Sequence, residues 1–137
     1  MKKSKGFTLI EILLVVVILG ILSGMIIPRL VGRAEQTRIK IARTDIEAGL
    51  AEILDLYELD NGKYPSSLQD LITQPGGTRN WSGPYLKKKV LPKDPWGNPY
   101  LYRFPGHHNS DGYDLISSGS DGVEGGSDDI VNWETNE

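Results

Sequence analysis

Cysteine is absent from this 137-residue chain, which excludes disulfides, thiolate nucleophiles and Cys-type zinc sites together and says nothing about redox compartment. A small exported domain without disulfides needs another staple, either a metal or a neighbouring subunit. Basic residues are missing from the whole stretch between Asp111 and Glu137, which holds eight acidic ones. Neither half of the chain therefore offers the broad basic face that nucleic acid requires. No phosphate-binding G-x-x-x-x-G-K-[ST] loop occurs, so ATP hydrolysis is excluded as the chain's own work. Paired carboxylates are plentiful, but none of these pairs is set among apolar residues that would raise a pKa, and no nucleophile–base pair stands out. Catalysis is not expected. His107 and His108 stand near a glycine and a proline without cysteines at ligand spacing, and read as exposed residues of a turn.

What the chain has in excess is one apolar run near its start. From Ile12 to Ile27 sixteen residues carry no formal charge, and from Phe7 to Ile27 only Glu11 interrupts. At about 1.5 Å per residue that longer run spans roughly 31 Å, enough to cross a bilayer core. Lys2, Lys3 and Lys5 ahead of it, and the acidic remainder behind it, place the N-terminus in the cytoplasm and the bulk outside. A cleaved secretory signal has such a basic leader, but its apolar core is shorter and is followed by a small-x-small site. A plain membrane anchor leaves Glu11 unexplained. A carboxylate at that depth costs about 2.5–3.5 kcal/mol on insertion scales and calls for a cation. A cut between Gly6 and Phe7 would create one, the new α-ammonium of Phe7. Glu11 would then be the fifth residue and could neutralise the N-terminus of the next subunit in a stack. Gly20 and Gly24 follow in small-xxx-small spacing and Pro28 closes the run. They fit a close-packing helix face and equally a stretch where the helix gives way.

Beyond Pro28 the pattern becomes amphipathic. Ile39, Ala42, Ile46, Leu50, Ile53 and Tyr57 recur at the spacing of one helix face, and Arg38, Lys40, Arg43, Asp45, Glu47, Glu52 and Asp55 fill much of the rest as a solvated surface. Asn61-Gly62 supplies a left-handed C-cap, so the helix is expected from about Thr8 to Asp60. Ser66 or Ser67 caps a short helix. Proline is then too dense for a central strand. Asp94-Pro95-Trp96-Gly97 reads as a turn, Pro99–Phe104 as the opening of a sheet, and Tyr113–Ser118 as its last good strand. This region reads as structured loop and strands with no chemistry in it.

The run Gly119–Ile130 is glycine-rich and acidic. Such a loop is usually solvated and mobile. It also offers the oxygens that a hard cation such as Ca2+ takes in sixes to eights. The EF-hand pattern is absent, since D-x-D-x-D-G-x5-E does not occur around Asp121-Gly122. The residues alone leave both readings open. Trp133 is expected to anchor the tail by apolar contact.

Lys-Gly-Phe-Thr-Leu-Ile-Glu, with its basic leader and apolar tract, resembles the class III signal of type IV pilins and type II secretion pseudopilins. GKYP followed by GPYLKKKVLPKDPWGNPYLYRFPG narrows the likeness to the major pseudopilins of type II secretion, their G subunits. The resemblance implies cleavage by a prepilin peptidase after Gly6 and N-methylation of Phe7. It implies an α+β, pilin-like fold: a long N-terminal helix, membrane-spanning in its first half, packed by its second half on a small antiparallel sheet. The expected divisions are a leader (1–6), a transmembrane and assembly helix (7–28), an amphipathic helix (29–62) and a loop-and-sheet part (63–137). It further implies Ca2+ bound by Asp121, Asp128 and Asp129 and by the carbonyls of Ser118 and Val123, with the compactness of the loop blurring which of Glu124, Asp128 and Asp129 coordinates. Glu11, Gly20 and Pro28 become assembly residues, and unwinding near Gly20 and Pro28 becomes the favoured role of that stretch. The partners implied are further copies of the chain, minor pseudopilins, the peptidase and an inner-membrane assembly platform. The location implied is the Gram-negative inner membrane, then a periplasmic pseudopilus that drives protein export. A surface type IV pilin for adhesion or motility is the alternative.

Overall fold

A computed structural model of the chain describes residues 6–134, with the backbone alone for residues 26–31. Lys2, Lys3 and Lys5 of the expected leader, and the side chain of Pro28, lie outside the described residues. The chain forms two compact units, Met1–Thr37 and Arg38–Glu137.

In the first unit, helix α1 (Leu9–Thr44) starts after the irregular residues Gly6, Phe7 and Thr8. From Leu9 to Met25 its large apolar side chains are all exposed, from 47% at Ile18 to 86% at Leu9. Surface of that kind needs lipid or protein against it. Among the described residues no helix is long and apolar enough to cross a membrane. The uncharged run continues to Ile27, two residues past Met25, the last of its residues with a described side chain. The backbone stays α-helical through Gly20, Gly24 and Pro28. A Cβ at either glycine would meet nothing within 4 Å.

The second unit opens with the end of α1, passes through a π-turn at Asp45–Gly49 and continues as helix α2 (Leu50–Asn61). Gly62 ends α2 in the left-handed region, at φ 76°, and its N–H bonds back to the Glu58 carbonyl at 2.7 Å. The expected cap is therefore present. The expected uninterrupted α-helix is not, and the π-turn changes which residues face inward. Ala42, Ile46, Leu50, Leu54 and Tyr57 are buried, whereas Ile39 is 37% exposed and Ile53 only partly covered. Four-residue steps in an α-helix drift by about 40° each at 3.6 residues per turn. The wider i→i+5 turn removes that drift, so Leu54 takes the place expected of Ile53.

These side chains pack on Leu68, Leu71, Tyr100, Tyr113, Leu115 and Ile130. Burying each leucine or isoleucine among them stabilises by about 1.5–3 kcal/mol. Leu68 and Leu71 belong to a 3₁₀ turn, Leu68–Leu71. Its start is held by Asp70, whose Oδ2 accepts from the N–H groups of Ser66 (2.9 Å) and Ser67 (3.1 Å). Three short strands form an antiparallel sheet in the order β1 (Leu101–Arg103), β2 (Asp114–Ser117) and β3 (Ile130–Val131). Leu101 faces Ile116, and Ser117 faces Ile130. Tyr113–Ser118 is thus not the last strand. Ile130-Val131 is too short to read from the sequence and takes its extended form from pairing with β2.

From Arg38 to Asp55 the charged helix face is exposed as expected except at the half-buried Asp45, and three helical acids take tyrosine hydroxyls. Tyr100 donates its hydroxyl to Asp45 at 2.8 Å, Tyr64 to Asp55 at 3.0 Å and Tyr85 to Asp60 at 2.8 Å. Each phenol buries its ring and finds an acceptor on the helix, which satisfies its polar tip.

Candidate functional site

Two regions carry the candidate residues: the start of α1 and the connection between β2 and β3. At the helix start, Glu11 Oε2 accepts from the Thr8 N–H at 2.7 Å and from the Thr8 hydroxyl at 2.8 Å. The Glu11 N–H points back to Thr8 Oγ1 at 3.3 Å. This is a capping box, in which the N-cap residue and the third helical residue satisfy each other's free N–H groups. A carboxylate here also suits the positive end of the helix. Glu11 therefore has a local role that the charge argument passed over, and the spacing Thr8-x-x-Glu11 is its signal in the sequence. Phe7 is 84% exposed. Gly6 lies in the irregular segment ahead of the helix, with open space around its Cα.

The connection from Ser118 to Asp129 is pinned at both ends by the Ser117–Ile130 pairing. Within it each aspartate commits one oxygen to the backbone. Asp128 Oδ2 accepts from the Ser120 N–H (2.8 Å), the Ser120 hydroxyl (2.7 Å) and the Asp121 N–H (3.1 Å). Asp121 Oδ1 accepts from the Val123 N–H at 2.8 Å, and Asp129 Oδ2 from the Gly125 N–H at 2.7 Å. The hydrogen bond from the Ser120 hydroxyl, ahead of that from the Asp121 N–H, holds the Asp128 carboxyl below its usual range against the opposing effect of burial.

The other oxygens are the informative ones. A Cβ placed on Gly126 would lie 2.9 Å from Asp128 Oδ1, 3.2 Å from Asp121 Oδ2 and 3.5 Å from the Val123 carbonyl. Three oxygens, two of them anionic, thus face one small space that only glycine leaves clear. Among the described residues Asp129 Oδ1 is buried without a hydrogen-bond partner. The Ser118 carbonyl accepts from the Gly122 N–H at 3.1 Å, closing the turn at the start of the loop. Gly119 sits in the left-handed region at φ 59°, where a Cβ would collide with Asp128.

Among the described residues no group of three or more His, Asp or Glu side chains gathers as a metal cage. Two carboxylates and a carbonyl gather instead, an all-oxygen set of the kind Ca2+ takes from flexible loops. Of the five expected ligands, Asp121, Asp128 and Val123 converge at Gly126, while Ser118 and Asp129 bound the same loop. The donor set fits the cation. Glu124 turns away: Arg103 holds its two oxygens at 2.6 and 2.8 Å, and that pairing keeps the Glu124 carboxyl low.

Beside this loop, His108 is engaged although half-exposed. Its ring stacks on Trp133 with centroids 3.9 Å apart and planes 4° from parallel, and its Nδ1 lies 3.2 Å from Asp114 Oδ2. Trp133 therefore meets an imidazole where apolar contact was expected.

An exposed apolar helix with a capped start, joined in sequence to a small helix-on-sheet domain with an acidic connection, defines the pilin-like class of protein. Comparison with known proteins agrees. The prokaryotic N-terminal methylation motif matches residues 1–27, and the family described as type II secretion system protein G matches residues 29–133. The chain is 48% identical over 143 residues to the type II secretion system core protein G of Pseudomonas aeruginosa, covering 97% of each chain. It is 46% identical to that of Vibrio cholerae, covering 97% of this chain and 94% of the other. Its structure resembles that of the major pseudopilin from the type 2 secretion system of enterohaemorrhagic Escherichia coli. The TM-score is 0.64 at 34% identity, with 76% of this chain and 89% of that one covered. The chain belongs to the type II secretion system protein G family. It is a structural pseudopilin of that system, and the surface-pilin alternative falls away.

Proposed function

We propose that this subunit, cut after Gly6, polymerises with copies of itself into the periplasmic pseudopilus that drives export, with Ca2+ closing the Ser118–Asp129 loop. The observation that carries the second half is the convergence of Asp121 Oδ2, Asp128 Oδ1 and the Val123 carbonyl on the space beside Gly126. Asp121, Asp128 and Asp129, with the carbonyls of Ser118 and Val123, would hold the ion. The ion supplies positive charge that offsets the mutual repulsion of these carboxylates. The chain's own residues supply the frame: the backbone N–H groups of Ser120, Val123 and Gly125 each bond one carboxylate oxygen of the loop.

The assembly half rests on the start of α1, where apolar side chains lie exposed and Thr8 bonds one oxygen of Glu11. In a stack, the free amine of Phe7 would meet the Glu11 of a neighbour. A prepilin peptidase, minor pseudopilins and an inner-membrane platform complete the set of partners, and the subunit waits in the inner membrane with its globular part in the periplasm.

Titrating Ca2+ into the full-length chain in detergent micelles tests the loop. A melting temperature that rises with Ca2+ and falls back with chelator is expected, by mass action on the folded state. A melting temperature indifferent to both would overturn it.

A further inference from the structure

The Asp94–Asn98 turn lies outside the acidic loop, yet its polar groups reach into it. Asp94 is 4% exposed. Its Oδ1 accepts from the N–H groups of Trp96 (3.1 Å) and Asn98 (2.8 Å), which closes the turn on itself. Its Oδ2 is committed elsewhere: it accepts the hydroxyl of Ser117, itself fully buried, at 2.7 Å. Asn98 Nδ2 donates to the Gly119 carbonyl at 3.3 Å. A Cβ on Gly122 would lie 3.3 Å from Asn98 Oδ1 and 3.4 Å from its Nδ2, so the same amide also packs against the far side of that turn. Ser118 sits between the two bonded residues, and its carbonyl takes the Gly122 N–H.

We infer that Asp94 and Asn98 are positioning residues for the cation loop: they hold Ser117 and Gly119 on either side of Ser118 and so fix where the Ser118 carbonyl points. This rests on the Ca2+ reading above. The bond to Ser117 reaches the end of β2, but the amide bond to Gly119 passes beyond the sheet into the loop. Together the two bonds hold the residues on either side of an expected ligand. Buried hydrogen bonds to a charged group are among the stronger ones, and outer partners of ligands commonly set metal affinity. The run of prolines and aromatics around the turn therefore serves the loop as well as the fold.

The test is Ca2+ titration of the full-length chain in detergent micelles, reading both Kd and the melting temperature in chelator. Asn98→Leu keeps the size and removes the amide; Ser117→Ala removes the hydroxyl that Asp94 receives. Each should raise the Kd about 10- to 100-fold. Leu68→Ala, in the core away from the turn, should lower the melting temperature and leave the Kd unchanged. If Ser117→Ala does not fold, Asn98→Leu decides, since its side chain is only half-buried. Variants that bind Ca2+ within about twofold of the parent would refute the positioning role alone. A parent chain that binds no Ca2+ would refute both this role and the reading beneath it.

Discussion

Asp128 grips Ser120 twice with a single oxygen, accepting both its N–H (2.8 Å) and its hydroxyl (2.7 Å) on Oδ2. The second oxygen is thereby aimed, at the space beside Gly126. Hydrogen bonds order the carboxylate oxygens of this loop, and the glycine marks where two of them meet a carbonyl.

Gly126→Ala puts a methyl group into that space. The added Cβ would lie 2.9 Å from Asp128 Oδ1, so even in chelator the substitution should lower stability, by about 1–3 kcal/mol. The Ca2+ affinity should fall at least about tenfold, because the methyl displaces the ion or spreads the ligands. Calorimetric titration of the two chains measures this.

Glu124→Gln should leave Ca2+ affinity unchanged. The side chain is paired with Arg103 at the surface, with both partners about two-fifths exposed. The loss in stability should be no more than about 1 kcal/mol and should shrink in high salt. An affinity drop comparable to that of Asp128→Ala would return Glu124 to the ligand set.

Glu11→Gln separates capping from charge. Glutamine still accepts from the Thr8 N–H and hydroxyl, so helix content in micelles, read by circular dichroism, should hold. Filament yield, read by sedimentation and electron microscopy, should collapse, because the α-ammonium of Phe7 loses its counter-charge. Normal filaments would leave the capping box as the whole role of Glu11.

Asp114 gives the domain an acid-sensitive joint. Burial disfavours its charged form, but the N–H groups of His108, Asn109 and His107, together with the His108 ring, outweigh that and hold its pKa below the usual 3.8. With the folded value depressed, its stabilisation is complete above the unfolded value and is lost as pH falls below about 4 through the folded value. Asp114→Asn should cost about 3 kcal/mol at neutral pH and flatten the acid limb of melting temperature against pH. The measurement belongs in chelator, so that metal binding does not contribute.

Local signals were legible in the sequence, and signals made by distant partners were not. Gly6, Phe7 and Glu11 form a contiguous motif, and Asn61-Gly62 is a cap readable from two residues. Strand β2 stands out as Tyr113–Ser118. Strand β3 does not, because two residues carry no periodicity and its form comes from Ser117 and Ile116 across the ladder. Arg103 could not be matched to Glu124, nor His108 to Trp133, since nothing local joins them. The acidic loop offered two readings by composition, a solvated run or a cation site, and the residues alone left both open. The meeting point at Gly126 depends on folding, because glycines at 119, 122, 125 and 126 look alike in sequence and differ only in what surrounds them.

The π-turn carries a consequence for insertions and deletions. The buried residues Ala42, Ile46, Leu50, Leu54 and Tyr57 stand at steps of 4, 4, 4 and 3. Removing one residue between Ile46 and Leu50 turns these into 4, 3, 4 and 3, the spacing an unbroken α-helix presents on one face. The Asp45–Gly49 segment thus reads as a single added residue that the helix absorbed by widening one turn. A chain one residue shorter here would keep its core, whereas the same deletion between Leu54 and Tyr57 has no widened turn to close and would rotate Tyr57 out of register. Length in this helix is negotiable at one turn only.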